Sequence, residues 1–80
     1  MASEADDSGI RARIEKDIAL FYKSIETVKS DDKSVAKIIE LSKMYAKDSQ
    51  SFLDRGDLYT SFASINYAHG LLDAVKEIAK

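Results

Sequence analysis

Fifteen consecutive residues, Leu58 through Leu72, contain no Asp, Glu, Lys or Arg in a chain that is 32% charged. In a helix this is about four turns. A solvated helix face normally carries charge, so a helix without any over this length needs protein on most of its circumference. Two neighbours within a bundle account for a wide apolar stripe but not for a full turn without charge. Aromatic and small side chains are interleaved along the stretch, which also holds the chain's single histidine, His69.

The rest of the chain supplies two neighbours. Ile10, Ile14, Ile18, Phe21, Ile25 and Val28 recur at intervals of three and four, one apolar stripe of a helix expected over about 9–29. Ser30-Asp31-Asp32 interrupts the pattern with side chains that accept hydrogen bonds from unpaired backbone N–H groups. Val35, Ile38, Ile39, Ser42, Tyr45, Ala46, Ser49, Phe52 and Leu53 then line one side of a second helix, about 32–55. Ser42 and Ser49 fall near the middle of that stripe. Small side chains there let a neighbouring helix come close, and each hydroxyl is expected to bond back to its own backbone. Arg55-Gly56-Asp57 is the second break, a glycine to end one helix and an aspartate to cap the next. The third helix, about 57–79, carries Leu58, Phe62, Ile65, Ala68, Leu72, Val75 and Ala79 on its core side, widened by Leu71 and Ile78.

Three helices of matched length joined by short connections make antiparallel neighbours. The expected fold is all-α, an up-down-up antiparallel three-helix bundle occupying 9–80 as one domain. Met1 to Ser8 is small and acidic, with Glu4, Asp6 and Asp7, and is expected to be a disordered acidic tail.

Composition narrows the chemistry. With no cysteine, no disulfide or thiolate–metal site is available. One histidine leaves an all-protein zinc site short of nitrogen ligands, so no metal or other cofactor is expected. Net charge is −2, spread as −3 over 1–8, +2 over 9–30, 0 over 31–56 and −1 over 57–80. A basic stripe would have to be assembled from Arg11, Lys16, Lys23, Lys37 and Lys43, and no face collects the positive potential that phosphate backbones require. Nucleic acid is not an expected partner. No apolar run is long enough to span a bilayer, and the amino terminus lacks a signal-peptide pattern. The expectation is a cytoplasmic protein with no membrane role.

From Tyr45 onward the chain resembles a known family. Tyr45, Asp48, Phe52, Leu53, Gly56-Asp57, Tyr59, Phe62-Ala63, Ile65-Asn66-Tyr67-Ala68 and Gly70-Leu71-Leu72-Asp73-Ala74 match the pattern of an archaeal family of small helical proteins, domain of unknown function 357. The resemblance covers about residues 41 to 76, and the first helix adds compatible periodicity. It implies a compact three-helix bundle from an archaeal cytoplasm, and it implies no activity. In shape the Gly-Asp-linked helix pair also resembles nucleotide-binding or ribonuclease domains of the HEPN type. Catalytic members of that group carry an arginine a few residues before a histidine. Here Ala63 to Ala68 precede His69 and the nearest upstream arginine is Arg55, so the catalytic pair is missing.

Two constellations remain. Asp48, Asn66, His69 and Asp73 could converge at the seam between the second and third helices, with Asp73 orienting the imidazole for acid–base work or two carboxylates sharing a ligand. The plainer reading is a half-buried histidine satisfied by its neighbours and an aspartate that fixes helix register. Without a nucleophile at a fixed spacing, no catalytic residue is assigned and no enzyme is expected. The other constellation is a surface. Ala63, Gly70 and Ala74 lie opposite the core stripe of the third helix, flanked by Tyr59 and Tyr67. A mid-helix glycine costs about 1 kcal/mol relative to alanine, and tyrosines beside small residues suit a protein contact. The expected function is therefore a non-catalytic interaction module with a protein partner, a second copy making a homodimer being one form. The alternative is a small-ligand or nucleotide-binding helical domain that uses the polar seam.

Overall fold

A computed structural model of the protein describes residues 2–78, with side chains from Ser8 onward. Three helices follow in order, α1 (Ala2–Ile25), α2 (Lys33–Asp54) and α3 (Leu58–Ile78), and no strand occurs among the described residues. They form the up-down-up three-helix bundle. The molecule measures 50 × 19 × 15 Å along its principal axes.

The ends of α1 differ from the expected 9–29. The helix begins at Ala2, within the segment expected as a disordered tail. Ala2, Glu4 and Ala5 are residue types of high helix propensity, and acidic residues are favoured in the first turns by the helix dipole. At the other end the helix stops at Ile25. The Thr27 and Val28 amides donate to Ser24 and Ile25 carbonyls at 3.1 and 3.2 Å, and the Thr27 hydroxyl donates to the Ser24 carbonyl at 2.7 Å. These tight three-residue turns use up the carbonyls that another helical turn would need. Val28 still reaches the core by folding back beside Ile25.

Both breaks are built as their residues dictate. Asp32 caps α2, its Oδ1 accepting from the Ser34 and Val35 amides at 2.8 and 3.2 Å, and Ser30 Oγ accepts from the Asp32 amide. Gly56 sits at φ +83°, with its amide on the Leu53 carbonyl and the Asp57 amide on the Phe52 carbonyl. That paired return closes α2 and requires a left-handed residue, which glycine adopts without a Cβ penalty. Asp57 then caps α3 by accepting from the Thr60 amide at 3.1 Å.

The core joins Ile14, Ile18 and Phe21 of α1 with Ala46 and Leu53 of α2 and Ile65, Ala68 and Leu72 of α3. Val35, Ile39 and Val75 continue it beneath the connection between α1 and α2. Ile10 and Ile78, expected on core stripes, are exposed. Ala79 lies outside the described residues.

The seam between α2 and α3 is lined by three fully buried serines, Ser42, Ser49 and Ser61. The Ser42 hydroxyl donates to its own helix, to the Ile39 carbonyl at 2.7 Å. Ser49 does not. It donates across the seam to the Ser61 carbonyl at 2.7 Å, and Ser61 donates back to the Ser49 carbonyl at 2.7 Å. This reciprocal clasp sets the register of the antiparallel pair.

Candidate functional site: the outer face of the third helix

The core side of α3 is defined by Ser61, Ile65, Ala68, Leu72 and Val75. At 100° per residue, Tyr59, Ala63, Tyr67, Gly70 and Ala74 fall on the opposite side. The structure brings all five to one solvent-facing surface and covers none of them. Tyr59 is 85% exposed and Tyr67 53%. A Cβ added at Gly70 would meet nothing within 4 Å. Helix packing inside the chain therefore gives no reason for a glycine at this position, although it costs helix stability. The uncharged turns of α3 are covered on the α1 and α2 sides and bare on the third.

The surface extends onto α2. Tyr67 meets Tyr45 edge-on, ring centroids 4.5 Å apart at 80°, beside the exposed Leu41 and Met44. Leu41 and Met44 stand off the apolar stripe of α2, a signal present in the helical spacing but absent from the expected site. Ser61 is a seam position that pattern reading passed over, since a lone hydroxyl beside Phe62 does not stand out from a solvated one.

The four polar residues do not converge. Nε2 of His69 lies 2.8 Å from the Asp17 carbonyl of α1. A carbonyl only accepts, so Nε2 carries the proton. The ring also stands edge-on to Phe21, centroids 5.7 Å apart. His69 thus belongs to the α1–α3 seam, not to the α2–α3 seam where it was expected. Asp48, Asn66 and Asp73 are exposed, and among the described residues none of the four hydrogen-bonds another. Asp73, one turn beyond His69, does not orient the ring. Among the described residues no group of three or more His, Asp or Glu side chains is placed to hold a metal ion.

A family described as "Protein of unknown function (DUF357)" matches residues 16–80. The chain belongs to the DUF357 family. The match takes in the end of α1, from residue 16, together with all of α2 and α3, so the DUF357 likeness reaches beyond the segment from Tyr45 that carried the resemblance. No curated protein and no solved structure matches the chain. No described helix is long and apolar enough to cross a membrane.

Proposed function

We propose that this DUF357 protein is a non-catalytic helical interaction module whose contact surface is the outer face of α3, and that it self-associates there. One observation carries the reading. Tyr59, Tyr67 and Gly70 share a solvent-facing side of α3 that carries no charge from Leu58 to Leu72, on a helix whose other sides are packed. Exposed aromatics beside small residues supply area and close approach together, the combination found at the centres of protein contacts. The dispersal of Asp48, Asn66, His69 and Asp73 supports a binding rather than an enzymatic role. The family resemblance supports an archaeal, cytoplasmic setting.

Sedimentation equilibrium of the wild type and of Gly70→Glu tests it. The wild type is expected to exceed the mass of one chain at high micromolar concentration, and Gly70→Glu to sediment as a monomer with unchanged helicity. A monomeric wild type, or a Gly70→Glu protein that associates equally well, refutes the proposal.

A further inference from the structure

The surface has a symmetry that a general interaction face does not need. Along α3 its residues run Tyr59, Ala63, Tyr67, Gly70, Ala74 and Ile78, with spacings of four, four, three, four and four. The series reads the same from either end, about a midpoint between Ala68 and His69. Reversed onto itself, it sets Tyr67 opposite Gly70, Ala63 opposite Ala74, and Tyr59 opposite Ile78. A bulky ring faces the helix's one missing side chain, and small faces small. On α2 the outward residues Lys37, Leu41, Met44 and Asp48 are spaced four, three, four, symmetric about a midpoint between Ser42 and Lys43. Reversed, Leu41 meets Met44 and Lys37 meets Asp48, an opposite-charge pair.

The two midpoints stand level. Ser49 faces Ser61 through the reciprocal bonds, and Tyr45 faces Tyr67 through their rings. In an antiparallel pair this places residues 42–43 of α2 beside residues 68–69 of α3. One twofold axis, lying across the hairpin face at that level, therefore satisfies both helices at once. A contact in which residue i meets j and j meets i is the mark of an isologous dimer.

The geometry points to a second copy of this chain as the occupant, docked antiparallel so that α2 lies over α2 and α3 over α3 in a four-helix layer with each α1 outside. This rests on the reading of the α3 face as a contact surface and adds the partner and the register. Charge agrees with it. Across the axis the charged residues of α3 between Tyr59 and Ile78, which are Asp73, Lys76 and Glu77, fall opposite the uncharged Ser64, Ser61 and Thr60, so no like charges are brought together. Lys37 and Asp48 take part in no ion pair within the described residues, and each meets its opposite across the axis. Area agrees as well. A face two helices wide, about 20 Å at ~10 Å per helix, and as long as the 22 residues of α2, about 33 Å, covers about 650 Å² in plan, and side-chain relief brings this close to the roughly 800 Å² per partner of a stable interface. Antiparallel helix pairs stacked in this way are a standard bundle geometry.

The chain has no cysteine, so single cysteines report the register directly. Ala63→Cys and Ala74→Cys, both at exposed positions, are purified separately, checked for unchanged helicity and melting, and oxidised alone and as a mixture. The mixture is expected to form a disulfide-linked dimer. Neither protein alone is expected to do so. In the Ala63→Cys dimer the two introduced thiols stand about 16 Å apart along the axis, and those of Ala74→Cys equally far, beyond the ~7 Å that a disulfide spans. A charge exchange checks the α2 layer. Lys37→Glu and Asp48→Lys are each expected to weaken self-association on the order of tenfold, through two like-charge contacts per dimer, and their mixture to restore it as a heterodimer. If the protein sediments as a dimer but Ala63→Cys cross-links to itself, or the mixture fails to cross-link, the antiparallel register is overturned while self-association stands. If every variant and the wild type are monomeric, the contact-surface reading falls with it.

Discussion

The Ser49–Ser61 clasp makes a quantitative claim about why serine occupies the seam. Each hydroxyl donates to a carbonyl on the facing helix at 2.7 Å, the two oxygens lie 3.1 Å apart, and both side chains are fully buried. Both carbonyls are within helices, so they keep an intrahelical N–H when a hydroxyl is removed. Ser49→Ala or Ser61→Ala therefore loses one net hydrogen bond and orphans nothing, about 1 kcal/mol. The double alanine removes donors from both sides and is expected to cost no more than about 2 kcal/mol, less if the seam closes slightly. Size is the stricter requirement. Ser49→Leu puts extra methylene groups where two backbones meet and is expected to cost about 3 kcal/mol or more, from overpacking together with the lost bond. For a domain of this size ~1 kcal/mol shifts the melting temperature by roughly 4–8 °C. Urea titration and thermal melting followed by circular dichroism would then separate the alanine variants from the leucine variant. If Ser49→Leu melts with Ser49→Ala, the seam is not closely packed and the register argument loses its anchor.

Other positions follow from the same structure. Gly56→Ala forces an L side chain into φ +83° and is expected to cost about 1–2 kcal/mol by urea titration, although nothing crowds the added Cβ. Asp32→Ala removes the oxygen that caps two amides at the start of α2 and is expected to cost about 1 kcal/mol in the same assay, with Asp32→Asn recovering most of it. His69→Ala loses both the bond to the Asp17 carbonyl and the edge contact with Phe21, and is expected to lower stability by about 1–3 kcal/mol while leaving self-association intact.

Much of the bundle was legible because its determinants are local. The stripes of α2 and α3 repeat at helical spacing, and Asp32, Gly56 and Asp57 cap the helices through neighbours only a few residues away. The early stop of α1 was less visible, since Thr27 and Val28 are compatible with helix, and only the competing turn bonds decide between the two. His69 was misplaced for a different reason. A helical wheel puts it on the edge of the core arc but does not say which neighbour lies on that edge. That depends on whether α1 sits to the left or right of the hairpin, a long-range fact that α3 alone does not encode. The clasp was hidden in the same way, because a serine bonded to its own helix and one bonded across a seam read identically in one dimension. The bare face was legible because it is defined by something local, the absence of charge.

Gly70 separates a face that is merely uncharged from one that is used. Within one chain an added Cβ there meets nothing, and the residue lies in mid-helix. Gly70→Ala should therefore stabilise the isolated chain by about 0.5–1 kcal/mol, the helix-propensity difference with no steric cost against it. In the dimer the same methyl group would occupy the recess that receives the partner's Tyr67, once at each of two symmetric positions, so self-association should weaken. The two effects have opposite signs and are read by different methods, urea titration at low micromolar concentration and sedimentation equilibrium at high. Stability raised with association unchanged would make the glycine incidental and remove the recess from the argument. Stability lowered would mean that something within the chain already needs the space, contrary to the open surroundings of this residue. Only a rise in stability together with a loss of association fits a glycine kept for a second molecule.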